Sequence, residues 1–196
     1  EIRNYSIDGK KKASLRSERL YFKEGITYSA LGGEKVSFRL LPSGCIFDSG
    51  GSCIFNEGDK NELLYLLGLL NSKLSVYILN CLNNTVNIQV GDVKRIPFVI
   101  PSKRQEGIIT NIAENNIEIK KNLCSYRIVE TTFAQSPLIA FQGASLKDRV
   151  LAYLNFENAQ LTQVLINEAI INELIFEVYE LSEADREQVE AKMGKS

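Results

Sequence analysis

Residues 63–97, LLYLLGLLNSKLSVYILNCLNNTVNIQVGDVKRIP, constrain the chain more than any other stretch. A helix that is apolar on nearly every side cannot lie on a surface, so the segments before and after it must wrap around it. Asp59 followed by Glu62 is a helix-capping pattern, and the spacing predicts one helix over residues 60–82. Gly68 within that helix costs about 1 kcal/mol of propensity relative to alanine, which implies that another backbone packs closely there. The pair Asn83-Asn84 breaks the helix. Residues 85–90 then alternate, with Val86, Ile88 and Val90 on one face and Asn87 and Gln89 on the other, the period of a half-buried strand. Gly91-Asp92 turns the chain outward, and Lys94 and Arg95 are the first charges beyond it.

Upstream, the polar opening segment carries Lys10, Lys11 and Lys12, then Arg16 and Arg19, suited either to solvent or to phosphate contact. Short strands punctuated by turns follow over residues 26–31, 36–41, 45–48 and 53–55, separated by Gly32-Gly33, Pro42-Ser43-Gly44 and Ser49-Gly50-Gly51-Ser52. The expected fold class is α+β: a small, curved, mostly antiparallel sheet packed around the buried helix.

Downstream of Pro97 and Pro101 the pattern becomes helical. Ser102 with Gln105 caps a helix expected to reach about residue 133, its seam formed by Ile109, Ile112, Asn116, Ile119, Leu123, Tyr126, Glu130 and Phe133. Ser145 with Asp148 opens a shorter helix to about Phe156, and a third helix has its seam at Leu161, Val164, Glu168, Ile171, Ile175 and Val178. The two long helices are expected to pair as an antiparallel hairpin, with Asn116, Glu130 and Glu168 as polar register marks. Ser182 with Asp185 caps a last helix ending near Gly194. Residues 1–101 are therefore expected to form one domain and 102–196 a helical spacer. The chain opens on Glu1 and its single methionine is Met193, which leads us to expect a piece of a longer polypeptide.

The near-neutral total conceals an asymmetry. Through Arg104 there are fifteen Lys and Arg against ten Asp and Glu, a net of +5, and beyond it eight against fourteen, a net of −6. The basic half points toward a polyanion. Cys45, Cys53, Cys81 and Cys124 are scattered and histidine is absent, which argues against a zinc site and a disulfide framework and leaves a cytoplasmic protein with reduced thiols as the expectation. Without histidine there is no Ser-His-Asp or Cys-His arrangement, and neither a GxxxxGK[ST] nor a GxGxxG phosphate loop occurs. Glu57 and Asp59 fit helix capping better than acid-base work. No apolar run is long enough to span a bilayer. A binding surface remains: Tyr28, Ser29, Lys35, Arg39, Asn87, Gln89, Lys94 and Arg95 offer donors of the types that read base edges or hold phosphates.

The segments GITYSALGGEKVSFRLLPSGCIFDSGGSCIF at residues 25–55 and LLYLLGLLNSKLSVYILNCLNNTVNIQVGDVKRIPF at residues 63–98 resemble the target-recognition region of adenine-specific DNA methyltransferases. The similar groups are the PglX type of bacteriophage-exclusion (BREX) systems and the single-chain type IIG restriction-modification enzymes. Gly25, Thr27, Tyr28, Pro42, Gly44, Phe47, Asp48, Gly51, Ile54 and Phe55 match the first part of the pattern. Gly68, Leu70, Asn71, Ser72, Lys73, Tyr77, Asn87, Gly91, Asp92, Ile96 and Pro97 match the second, and residues 171–190 resemble the helix that follows such domains, with Glu180 where the family often has glycine. The resemblance implies a parent enzyme that methylates adenine N6 from S-adenosylmethionine and binds double-stranded DNA. This chain would be its non-catalytic reader, joined to the methyltransferase domain and to other defence subunits. Gly51, Gly68, Gly91, Asp92 and Pro97 would be structural. The alternative is a protein-interaction module acting through the acidic hairpin; a nuclease has no residue trio to support it.

Overall fold

A computed structural model describes residues 6–8, 10–11, 17–31, 36–48, 50–56, 58–83, 85 and 87–194. The fold is α+β. Two short strands, β1 (Ser6–Ile7) and β2 (Lys10–Lys11), form an antiparallel pair. A 3-10 turn at Glu18–Leu20 leads into an antiparallel three-stranded sheet of β3 (Gly25–Ser29), β4 (Phe38–Leu41) and β5 (Gly51–Ile54), in the order β4-β3-β5. Residues 45–48 lie outside the strands, and Phe47 there packs between Tyr21 and Phe55. That aromatic group closes over Gly25, where an added Cβ would meet the Ile54 carbonyl at 2.7 Å and the Phe55 ring at 2.9 Å.

The long apolar helix expected over residues 60–82 is two helices, α1 (Lys60–Asn71) and α2 (Lys73–Leu82), bent by 63° at Ser72. Three consecutive residues explain the break. Asn71 accepts the Phe38 N–H and donates to the Phe38 carbonyl, both at 3.0 Å, so it fastens the outer edge of β4. Ser72 is extended (ψ 154°), donates to the Leu69 carbonyl at 2.6 Å and caps α2 by accepting the Ser75 N–H. Lys73 donates its N–H to Asn172 Oδ1 at 2.8 Å and its ammonium to the Gly194 carbonyl at 2.7 Å. The Leu70-Asn71-Ser72-Lys73 motif thus ties the sheet, α2 and the C-terminal helices to one point. The competition of a serine hydroxyl with the helical hydrogen-bond ladder is what ends α1 there.

Helix α1 is buried on two faces. Leu63, Leu67 and Leu70 join Ile26, Tyr28 and Phe38 of the sheet with Leu79, Ile88 and Val93. Tyr65 and Leu69 join Leu74, Ile109, Ile171, Ile175, Phe176 and Val189 of the other helices. Gly68 stands between them, and the close neighbour there is the Ile109 side chain rather than the expected backbone, 2.8 Å from an added Cβ.

The described residues of the segment, 85 and 87–90, do not form the expected strand. Asn83 Oδ1 accepts the Thr85 N–H at 2.8 Å, and Asn83 Nδ2 donates to the Asn87 carbonyl at 2.9 Å and to Asp92 Oδ2 at 2.7 Å. This local bonding curls the segment, which keeps one bridge, Asn87 to Leu31, before the single turn α3 (Val90–Val93). Ile88 is buried as expected but Val90 is 48% exposed, and Gly91-Asp92 lies inside α3 rather than in a turn. Val86 lies outside the described residues.

Helix α4 (Lys103–Cys124) stops short of residue 133. At 22 residues it is about 33 Å long. Ser125 donates to the Asn122 carbonyl, and the Ala134 N–H returns to the Ser125 carbonyl, closing a loop that holds Glu130 and Phe133 off any helical seam. After the short α5 (Pro137–Ala140), α6 (Leu146–Val178) is one helix of 33 residues, because nothing between Phe156 and Leu161 breaks it. Helices α4 and α6 run antiparallel: Ile109 meets Ile171 and Ile175, while Ile119 and Leu123 meet Val164. The polar mark on α6 is Asn167, not Glu168, which is exposed. Asn167 donates to Asn116 Oδ1 at 2.6 Å and to Asn115 Oδ1 at 3.0 Å. Helix α7 (Glu183–Met193), capped by Ser182, ends at Gly194 as expected. Among the described residues no single helix is long and apolar enough to cross a membrane.

Candidate nucleic-acid interface

Alternation in β3 and β4 sends Ile26, Tyr28 and Phe38 into the core, so Thr27, Ser29 and Arg39 share the opposite face of the sheet. Arg39 Nη2 donates to Ser29 Oγ at 2.9 Å, which tethers an exposed guanidinium to that face. Thr27 Oγ1 donates to the Ser52 carbonyl across to β5 at 3.2 Å.

The chain beyond β3 is tied to a second set of polar side chains. The Ile88 N–H donates to the Ala30 carbonyl at 3.0 Å, and Leu31 bridges Asn87. Ser29 and Arg39 are thereby joined, through one residue of backbone, to the corner where Asn87 and Gln89 are exposed and where Lys94 and Arg95, also exposed, follow the single turn of α3.

Asp92 sets the shape of that corner. Its carboxylate accepts from Asn83 Nδ2 at 2.7 Å and from the Gln89 N–H at 3.0 Å. The Asn83 amide, then the Gln89 N–H, lower its pKa below the usual carboxylate value. A lowered native pKa makes this contribution to stability full above the ordinary carboxylate pKa, and lost as pH falls through the native value. We expect amide protection at residues 87–93 to fall on acidification, and Asn83→Ala to move the onset to higher pH. Hydrogen exchange across an acid series checks this, and an onset unmoved by Asn83→Ala would remove Asn83 from the account.

The other predicted residues are placed differently. Tyr28 is 1% exposed and stacks on Phe38 with ring centroids 5.1 Å apart, on the core side of the sheet. Lys10 and Lys11 lie in the β1–β2 pair, with Lys10 exposed, while Lys12 and Lys35 lie outside the described residues. Gly51 begins β5, and Gly91 sits in α3. The link at Pro97 is pinned from both sides: the Tyr65 hydroxyl donates to the Val99 carbonyl at 3.0 Å, and the Tyr179 hydroxyl donates to the Pro97 carbonyl. Asn83, legible in the sequence only as a helix breaker, organises the corner; an Asx residue followed by Thr two positions on is the turn signal that marks it. No group of three His, Cys, Asp or Glu side chains able to hold a metal occurs among the described residues.

No protein-family profile matches the chain. The chain is homologous to an adenine-specific methyltransferase named BrxX from Escherichia coli O9:H4 (strain HS), at 32% identity over 184 residues covering 90% of this chain. It is also similar to an adenine-specific methyltransferase named PglX from Lacticaseibacillus casei (strain Zhang), at 27% identity over 189 residues covering 89% of this chain. The chain spans about 15% of the length of each of these curated relatives.

Proposed function

We propose that this chain reads double-stranded DNA for an adenine-specific methyltransferase, and that residues 1–101 form the reader and residues 102–196 the spacer that sets its distance from the catalytic part. The observation that carries this reading is the Ala30–Ile88 hydrogen bond, which ties the strand bearing Ser29, itself bonded to Arg39, to the segment that exposes Asn87, Gln89, Lys94 and Arg95. Arg, Asn and Gln present paired donors and acceptors of the kind that match guanine and adenine edges, and Lys94 supplies a charge for phosphate. The chain itself performs no methyl transfer in this reading. S-adenosylmethionine would be held elsewhere in the parent polypeptide.

Duplex binding by the chain is expected to weaken with salt. Lys94→Glu with Arg95→Glu is expected to lower affinity about 10- to 100-fold at low salt and to flatten the salt slope by about two contacts' worth. Fluorescence anisotropy over a salt series measures both. Affinity and slope identical to the parent sequence would sink the assignment of this corner to DNA.

A second reading is a protein-interaction module. It draws on the apolar side chains that α6 leaves uncovered, among them Leu146 at 66% and Leu165 at 65% exposure. Partner capture lost in Leu165→Glu, with DNA affinity unchanged, would favour it.

A further inference from the structure

A cleft of about 580 Å³ opens between the edge of β5, helix α1 and the α3 corner. That volume suits a small organic ligand. Ile54, Phe55, Leu66, Leu70 and Val93 build its apolar wall, and Tyr28 stands in the same wall. The Tyr28 hydroxyl is buried and is the side-chain polar atom among the described residues that has no hydrogen-bond partner. Leaving such a group unpaired costs about 1–3 kcal/mol, which an occupant with an acceptor atom would relieve. Burial raises the Tyr28 pKa against the opposing effect of the nearby Ser52 side chain, which does not reach hydrogen-bond geometry, so the phenol keeps its proton and can donate. At the mouth stand Arg19, Lys23 and Lys94 with one carboxylate, Glu24. None of the three cations is ion-paired among the described residues.

We propose that this cleft binds a small amphipathic anion: an aromatic or aliphatic body against the apolar wall, an anionic head at the three cations, and one acceptor atom facing Tyr28. Polarity decides against a nucleobase. A base edge brings several donors and acceptors, whereas few polar side chains line the cleft, and of these the Asn56 Nδ2 already donates to the Asp59 carbonyl at 3.0 Å and the Cys53 thiol to the Gly51 carbonyl at 3.5 Å. Inorganic phosphate alone would satisfy the cations and leave the wall bare. The site does not depend on DNA reading, although Lys94 stands at the edge of both surfaces.

The test uses 8-anilinonaphthalene-1-sulfonate, an aromatic body with one sulfonate, titrated by fluorescence and calorimetry into the folded chain, with decanoate as competitor. Saturable one-to-one binding displaced by decanoate is expected. Val90→Trp, at the exposed mouth of the cleft, is expected to abolish it, and Arg19→Glu with Lys23→Glu to weaken it about tenfold. Tyr28→Phe removes the hydroxyl and keeps the ring, so it is expected to weaken binding severalfold with little change in Tm. Circular dichroism confirms that each variant folds. Binding of many dyes per chain, dye binding equal in Val90→Trp, or affinity unchanged in Tyr28→Phe would each overturn the proposal. DNA affinity measured on Arg19→Glu with Lys23→Glu and on Val90→Trp separates a failure here from a failure of the DNA reading.

Discussion

Gly68→Ala is expected to destabilise the chain by about 1–3 kcal/mol, although the same change in an open helix stabilises by about 1 kcal/mol. The added methyl would sit 2.8 Å from Ile109 Cγ2 and 3.8 Å from Ile171 Cγ2. Ile109 is fully buried and β-branched within α4, so its Cγ2 has one rotamer to occupy and nowhere to retreat. Taking that atom away should reverse the sign. In an Ile109→Ala background, Gly68→Ala is expected to recover the helix propensity and stabilise by about 1 kcal/mol. Urea unfolding of the four proteins of this cycle measures the coupling. Strict additivity would mean that the glycine does not serve the approach of α4 to α1.

Ile175→Ala is expected to cost about 2–5 kcal/mol, a large share of the roughly 5–15 kcal/mol that holds a domain folded. Ile175 is 0% exposed and meets α1 and α4 in the cluster that also holds Val189 of α7. Since α1 is the common wall of that cluster and of the one beneath the sheet, the loss should reach β3, which Ile175 does not touch. Hydrogen exchange is expected to show the amides of β3 and α6 losing protection together. Protection of β3 equal to that of the parent sequence, beside a weakened α6, would show that the two parts unfold independently.

The sequence disclosed some features and concealed others for identifiable reasons. Caps were legible because they are local: Asp59, Ser102, Ser145 and Ser182 each sit where a helix begins. The burial of α1 was legible from its all-round apolarity. The break at Ser72 was hidden because the apolar run continues through it, and because Asn71 and Lys73 find their partners in β4, α6 and α7, far away in sequence. The α6 seam is legible at Val164, Ile171 and Ile175, but its polar mark is not, because both Asn167 and Glu168 fit a spacing of three or four; Asn116 on α4 distinguishes them by selecting Asn167. Alternation at residues 85–90 imitated a strand, and the Asn83 and Asp92 side chains overruled it. Of the candidate surface, residue types were readable, but the tie between the strand of Ser29 and the 87–95 corner is a main-chain bond between Ala30 and Ile88 that no spacing announces.

Asn71 has a further consequence. Its amide takes hold of the N–H and C=O of Phe38 and ignores that residue's side chain. The sheet is therefore seated by a socket that is blind to amino-acid identity along its outward face, and residues such as Ser29 and Arg39 can be exchanged wholesale without unseating it. On the proposed DNA reading, specificity and architecture become separately adjustable. A chimera that grafts a foreign set of outward residues onto β3 and β4 should fold like the parent sequence and differ only in what it recognises.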